Sequence, residues 1–202
     1  MAAMDDLQQQ TDSFLKAQAP EGTRALGVEP FIVFRPDHLA RATALADRLS
    51  ALADATPGPD GIAAVMAAVR EAAQVENVDL VKYALMLFIT HHPEARDLTI
   101  PPLEERQPDV LPAEESEAGT RALEEDGTRA IDPEASLAWY REDPGANEHH
   151  EHWHVVYPGQ GLGGRLKDRQ GELFVYMHQQ MIARYDTERL AMGLPRVAPL
   201  SD

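Results

Sequence analysis

The side chains of this sequence best suited to bind a metal ion are histidines near its C-terminal end. Five of the eight histidines lie in the last third of the chain, and four of these fall within residues 149–154. His150 and His154 are spaced i, i+4, so on a helix their imidazoles project from one face about one turn apart. That separation suits two ligands of a single ion.

A third imidazole is available from the next predicted helix. His178 lies midway along it, and the glycine-rich connection at 158–164 allows that helix to return antiparallel. Three neutral imidazoles without a thiolate favour copper, zinc, nickel or iron and leave a coordination position open for a small molecule. Two other interpretations fit the residues equally: a surface cluster that scavenges metal or forms a polar face, and a hydrogen-bonded core histidine at position 178.

Two further motifs carry less chemistry. Residues 159–164 satisfy G-x-G-x-x-G, but no buried strand precedes them, so we interpret the segment as a flexible loop. His91 and His92 end an apolar helix just before Pro93. A cation suits the dipole there, so we expect a C-terminal capping role and assign these two histidines no chemistry.

Charge and cysteine content exclude several classes of protein. The 18 Lys and Arg residues against 34 Asp and Glu give a net charge of −16, which disfavours nucleic acids and anionic membranes as partners. The absence of cysteine excludes disulfides, thiolate zinc sites and iron–sulfur clusters. No run approaches the roughly 20 apolar residues of a membrane span, and residues 1–10 are acidic and rich in Gln. We therefore expect a soluble, cytoplasmic protein.

Helical periodicity accounts for the first half of the chain. Apolar residues on one face predict a helix from His38 to Leu52, and Asp60 is placed to N-cap a second helix. A third helix opens at Asn77 or Asp79 and is apolar on nearly every side, which is typical of a helix packed among others.

The C-terminal part holds the helices that must position the histidines. Asp132 and Pro133 predict a helix start, a further segment runs from Asn147 to about Val156, and a long helix spans about 168–192. We expect that last helix to bury the following apolar side chains: Leu173, Phe174, Met177, Met181, Ile182 and Tyr185. No segment alternates as a strand, so the predicted fold class is all-α.

Several stretches carry a resemblance to a known family. The first group is Asp132–Glu134, Leu137–Ala138, Tyr140–Asp143, Gly145, His149–His150, His152–His154 and Val156–Pro158. The second group is Asp168–Arg169, Gly171–Phe174, Tyr176–Gln180, Ala183–Tyr185 and Glu188–Leu190. Together they resemble the two copper A helices of arthropod hemocyanins and prophenoloxidases. That family's N-terminal helical domain is similar to Phe31–Phe34, Pro36–Leu39, Tyr83–Leu85 and Leu98–Glu104.

The resemblance implies roles for individual residues. His150, His154 and His178 correspond to the ligands of the copper A ion, and Phe34 to the phenylalanine that controls access to the copper pair. Glu151 stands where the family usually has tryptophan, and we interpret it as a proton acceptor.

The same resemblance implies a domain scheme. Residues 1–28 form an arm or a short helix, and 29–112 form the hemocyanin-like N-terminal helical domain. An acidic linker at 113–131 precedes the helix pair at 132–202, which is half of a type 3 copper four-helix bundle. Because no second His-x-x-x-His helix follows, we expect a homodimer or higher homo-oligomer to assemble the site, with two copper ions per site and one per chain.

The expected function is binding of copper and dioxygen, with oxidation or monooxygenation of phenolic or related aromatic substrates. Two alternatives stay open: a reversible dioxygen carrier, and a non-catalytic copper-binding subunit that needs a different partner chain.

Overall fold

A computed structural model describes residues 2–17, 29–107 and 134–199. Its α-helices are α1 (Ala2–Lys16), α2 (Pro36–Ala55), α3 (Pro59–Ala72), α4 (Val78–His91), α5 (Leu103–Arg106), α6 (Ala138–Glu142), α7 (Pro144–Val156) and α8 (Gln170–Ala191). Short 3₁₀ segments lie at Pro93–Ala95 and Ala135–Leu137. Within these ranges the only β-type pairing is an isolated bridge between Leu162 and Arg165, which confirms the all-α prediction. Among the described residues, no helix is both long and apolar enough to cross a membrane.

The chain divides into two compact units. The first unit combines Met1–Pro108 with His150–Asp168, and the second combines Asp109–His149 with Arg169–Asp202. The boundary runs through α7, between His149 and His150. The domain scheme from the sequence stays a prediction. Its acidic linker at 113–131 lies outside the described residues, as do Asp132 and Pro133 of the expected helix start.

The core of the first unit is built on α4, which packs against α2 and α3. Every residue of α4 from Tyr83 to Ile89 is buried, as the nearly continuous apolar run predicts. The predicted stripes of α2 and α3 are buried as well: Leu39, Ala42, Leu45, Ala46 and Leu49 on α2, and Ile62, Val65, Met66 and Val69 on α3. Each large aliphatic side chain buried here contributes about 1.5–3 kcal/mol relative to exposure.

The start of α3 differs from the prediction. Its N-cap is Gly58, at φ 91°, and Asp60 lies inside the first turn. A positive φ is strained for residues with a side chain, so glycine takes this position, and the acidic Asp60 suits the N-terminal end of the helix dipole. For α4, the predicted opening at Asn77 is confirmed: its side chain accepts hydrogen bonds from the backbone N–H groups of Asp79 and Leu80 at 2.9 and 3.2 Å.

The N-terminal segment is helical and is part of the core. Leu7 and Leu15 of α1 are buried, and α1 packs against α3. The Gln8 side chain connects α1 to Thr99, which is 91 residues later in the sequence. It donates to the Thr99 carbonyl (3.0 Å) and accepts from the Thr99 N–H (2.9 Å). Of the two sequence interpretations, an arm or a helix, the structure has the helix over 2–16.

In the second unit, α8 buries a different set of side chains from the one expected. Phe174 and Ile182 are 45% and 54% exposed, so the prediction that they are buried is wrong. The buried positions of α8 include the charged residues Asp186 and Arg189. Asp186 accepts from the Val197 N–H at 2.7 Å, and Arg189 donates to the Pro195 carbonyl at 2.7 Å. The segment after α8 folds back and pairs with these polar side chains, which sequence periodicity does not reveal.

Candidate metal centre

The predicted histidine pair is formed on α7. The Nε2 atoms of His150 and His154 lie 2.9 Å apart, and their ring centroids are 4.7 Å apart. Local sequence sets up this helix: Pro144 is its first residue, and the Asp143 side chain accepts from the Ala146 N–H at 2.6 Å. The i, i+4 spacing therefore brings two ring nitrogens to one point.

This geometry suits a metal ion. Imidazole nitrogens about 2.0–2.1 Å from a tetrahedral ion lie roughly 3.3 Å from each other. The two Nε2 atoms, at 2.9 Å, would need to separate by only a few tenths of an ångström to bind one ion. Both side chains are half-buried.

His178 lies on α8, in the second unit. Its Nδ1 is 2.8 Å from the carbonyl oxygen of Phe174, one turn earlier in the same helix. Because a carbonyl only accepts, Nδ1 carries the proton and donates, which leaves Nε2 in the unprotonated form that metals bind. A backbone carbonyl that fixes the tautomer is the usual companion of a histidine ligand. His178 is thus prepared for coordination by its own helix.

The end of α7 is held by two side chains of α4. The Tyr83 hydroxyl donates to the His154 carbonyl at 2.9 Å, and His91 Nε2 donates to the Val155 carbonyl at 2.9 Å. Carbonyls in the last turn of a helix have no partner within the helix, so α4 satisfies two groups that would otherwise be unpaired. One of them belongs to a candidate ligand.

Burial shifts the pKa of both α4 side chains that bind α7. Burial, followed by the negative charge of Glu151, raises the pKa of Tyr83 well above its ordinary value, so the hydroxyl stays protonated. Burial lowers the pKa of His91, against the opposing effect of its bond to Val155 and with a smaller lowering from Lys167. His91 is therefore neutral at pH 7.

The lowered pKa of His91 predicts that the fold loses stability on acidification. The unfolded chain takes up a proton at this histidine near pH 6.5, above the pH at which the folded chain does. The contribution is complete above about pH 6.5 and is lost as the pH falls below it. We expect the urea midpoint to decrease between pH 7 and 5, and to decrease less in His91→Gln. An equal slope in both proteins would contradict the assignment.

His91 is the last residue of α4 and His92 is its C-cap, with the His92 N–H donating to the Phe88 carbonyl at 2.9 Å. His91 binds the α7 carbonyl described above. The Nδ1 of His92 accepts from the Glu94 N–H at 3.3 Å, at the start of the following 3₁₀ segment, and its Nε2 faces Asp54 Oδ1 at 3.2 Å. The predicted position at the C-terminal end of α4 is confirmed, while the two imidazoles bind other segments and not the last carbonyls of α4.

The glycine-rich segment is a loop, as predicted, and it is anchored on α2. The Gly163 N–H donates to Asp47 Oδ1 at 3.1 Å, and Gln160 donates to the Pro36 carbonyl at 2.8 Å. No strand leads into it among the described residues, so it lacks the setting of a dinucleotide-binding turn.

Phe34 lies against one of the candidate ligands. Its ring meets the His154 ring edge-on, with centroids 5.3 Å apart and planes at 85°, while 68% of Phe34 is exposed. His38 holds the segment that carries it, since the Ile32 N–H donates to His38 Nδ1 at 3.0 Å. Control of access by Phe34 stays a prediction.

Glu151 is bound by a residue that the sequence did not single out. Both of its carboxylate oxygens accept from the Arg106 guanidinium, with Nη1 to Oε1 at 3.1 Å and the second contact from Nη2 to Oε2. Arg106 is only 6% exposed, although it lies among charged residues in the sequence. Its signal was the lone arginine after Glu104 and Glu105. The proton-acceptor role of Glu151 stays a prediction.

These features define an all-helical protein that presents a histidine pair from one helix and a tautomer-fixed histidine from another. The family model described as "Hemocyanin, copper containing domain" matches residues 66–202. The chain belongs to this hemocyanin family, which confirms the resemblance read from its residues.

Individual relatives agree with the family match. The chain is 38% identical to a hemocyanin G chain of Aphonopelma sp. and 37% identical to the hemocyanin AA6 chain of Androctonus australis, over 91% and 90% of its length. It is 37% identical to phenoloxidase 8 of Anopheles gambiae over 86% of its length. The solved structure of AsqI matches with a TM-score of 0.69 and 26% identity, over 97% of this chain and 31% of that one. The chain spans 31%, 31% and 26% of those three relatives.

Proposed function

We propose that the chain binds copper through His150, His154 and His178, one ring nitrogen from each, and that the bound copper handles dioxygen. The observation that carries this proposal is the 2.9 Å approach of the His150 and His154 nitrogens within the stretch matched by the copper-containing family model. Imidazole sets without thiolate suit copper and the other borderline metals.

The residues of this chain then have separate tasks. His150 and His154 provide a paired face, and the Phe174 carbonyl keeps the Nε2 of His178 ready to coordinate. Tyr83 fixes the backbone of His154. When bound, copper supplies the one-electron and dioxygen chemistry that protein side chains lack.

A copper analysis tests the proposal directly. We expect about one copper ion per chain after loading with Cu(I) under anaerobic conditions and removal of excess metal. A chain that retains no copper, or that retains zinc in preference when both are offered, would contradict the choice of metal.

The proposal extends to the assembly. In a homodimer with two-fold symmetry, each copy would contribute one three-histidine set, giving two copper ions per assembled site. Exposed apolar side chains in the second unit support a covered face, among them Trp139, Phe174 and Tyr176, which are 49%, 45% and 57% exposed. Size-exclusion chromatography with light scattering should give twice the chain mass for the copper-loaded protein. A copper-loaded monomer would contradict the dimer.

For activity, we propose oxidation or monooxygenation of a phenolic or related aromatic substrate. The relatives include a protein named phenoloxidase and several named hemocyanin, so a reversible dioxygen carrier is the second candidate function. A third is a copper-binding subunit that completes its site with a different chain. Turnover of a simple catechol by the copper-loaded protein supports the enzyme, and reversible oxygen uptake without turnover supports the carrier.

The cytoplasmic location stays a prediction.

Phe34 provides a sharper test of the enzyme. Its exposed ring covers the edge of His154, so shortening it in Phe34→Ala should widen access to the site. We expect kcat/KM for a catechol to rise about tenfold, equivalent to about 1.4 kcal/mol of barrier. Ile32→Ala is the matched control, because Ile32 is on the same segment and 44% exposed. Equal kinetics for the two variants would show that Phe34 does not control access.

A further inference from the structure

We infer that the Arg106–Glu151 ion pair is a positioning device that fixes the rotation of α7 and so aims His150 and His154. The inference rests on the proposed function, since it concerns the same histidines. Glu151 occupies a position at which the family usually has tryptophan, and Arg106 was not among the predicted site residues.

Arg106 is built into the first unit as a rigid fork. Its Nε donates to the Pro101 carbonyl at 2.7 Å, its Nη1 donates to Glu151 Oε1 at 3.1 Å, and Nη1 also lies 3.4 Å from Met86 Sδ. The side chain is 6% exposed, so it has little freedom to move. Because the guanidinium is planar and binds both carboxylate oxygens, it defines the direction of the Glu151 side chain.

The direction of Glu151 determines where the histidines point. Successive residues on an α-helix are turned by roughly 100°, so the direction of one side chain fixes the directions of its neighbours. His150 precedes Glu151 by one residue, and His154 follows it by three. The histidine pair therefore points roughly 80° around the helix axis from the anchored carboxylate.

The last turn of α7 is held by other contacts, among them the Val155 side chain, which is 2% exposed in the core of the first unit, and the Phe34 ring against His154. Tyr83 and His91 bind the carbonyls of His154 and Val155, and helix carbonyls point along the axis. These two bonds hold the end of α7 along its axis. The ion pair grips the side of the helix one turn earlier, at Glu151, and so restrains how that turn is rotated.

The charge of Glu151, like its position, favours metal binding by the histidine pair. Without Glu151, the buried guanidinium of Arg106 would be an uncompensated positive charge. It would lie next to the turn of α7 whose histidines are proposed to bind the copper cation. Glu151 cancels that charge. Loss of Glu151 should therefore weaken metal binding both by releasing the helix and by restoring the repulsion.

The test compares Glu151→Gln with Glu76→Gln in the full chain. Glu76 pairs with Arg41 at a more exposed place in the first unit, so its variant removes an ion pair away from α7. Affinity for Cu(I) is measured by competition with a chromophoric chelator. We expect Glu151→Gln to weaken it about 10- to 100-fold, as for other groups that orient metal ligands, and Glu76→Gln to leave it unchanged. Equal affinities would overturn the inference.

A double variant separates positioning from folding. Replacing a buried ion pair by apolar residues often restores stability, so Arg106→Met with Glu151→Met should recover the urea midpoint of the metal-free protein. We expect its Cu(I) affinity to stay low, because two flexible methionines do not fix a rotation. Full recovery of affinity together with stability would show that the pair serves the fold alone.

A metal-free measurement keeps the inference distinct from the proposed function. If the parent chain does not bind Cu(I), the proposed function fails. The ¹H–¹⁵N spectrum of the imidazoles then still reports the approach of His150 to His154. We expect their signals to shift in Glu151→Gln and not in Glu76→Gln. Unshifted signals in Glu151→Gln would overturn the positioning role.

Discussion

Replacing His178 by alanine should abolish copper binding by this chain, with the Cu(I) affinity falling more than about a hundredfold. Loss of a residue that merely orients a ligand costs about 10- to 100-fold, and loss of a ligand should exceed that. The Nδ1 of His178 donates to a carbonyl of its own helix, and no other histidine lies on α8 to replace it. Copper per chain after desalting is the measurement.

Two matched variants make this result specific. His152 is on α7 beside the histidine pair but is exposed, and His92 is occupied by Asp54 and the Glu94 N–H. We expect His152→Ala and His92→Ala to retain copper at the level of the parent chain. If His178→Ala retains copper as they do, the third ligand is another residue and the proposed ligand set is incorrect.

The stability of the metal-free His178→Ala protein should show whether His178 is a metal ligand or a structural residue of the core. His178 is only partly buried, so His178→Ala should change the free energy of unfolding little. A large loss of stability in this variant would mean that the imidazole is a structural residue, which is the alternative that the sequence left open.

Phe88→Ala should destabilise the protein by about 3–5 kcal/mol. Phe88 is 1% exposed on α4, and its ring stacks on His92 with centroids 5.0 Å apart. Removing the ring leaves a cavity in the core of the first unit, where α4 packs against α2 and α3. Because whole domains are stable by only about 5–15 kcal/mol, this one change removes a large fraction of the total. Urea unfolding followed by circular dichroism measures the difference.

Phe34→Ala is the control for this prediction, because it deletes the same side chain from a position that is 68% exposed. We expect it to lie within about 0.5 kcal/mol of the parent protein. The core variant should also bind Cu(I) more weakly, since α4 carries the Tyr83 and His91 contacts to α7. Similar unfolding midpoints for the two variants would show that α4 is not the centre of the core.

Local patterns predicted most of the helices. The period of apolar residues gave α2, α3, α4 and the greater part of α8, and the Asn77 cap was legible because capping involves only neighbouring residues. The i, i+4 spacing of His150 and His154 was equally local, which is why the pair could be identified without the structure.

Sequence patterns failed where the partner of a side chain lies outside its own helix. The burial of Asp186 and Arg189 on α8 depends on the segment 195–197, which folds back over them. The apolar periodicity predicted that only apolar side chains of α8 are buried. A hydrophobicity pattern does not show that a charged side chain is buried when a later segment of the chain pairs with it. The N-cap of α3 was misplaced for a smaller reason, since the positive φ of Gly58 is a property of the turn as a whole.

The helical class of this protein and the spacing of its α7 histidines follow from the sequence, since both depend on contacts within a turn of helix. The surroundings of that turn follow from packing. Tyr83 reaches the His154 carbonyl across 71 residues of chain, and Arg106 reaches Glu151 across 45. Such pairs are set by the way buried helices pack in three dimensions, and no short-range pattern encodes them.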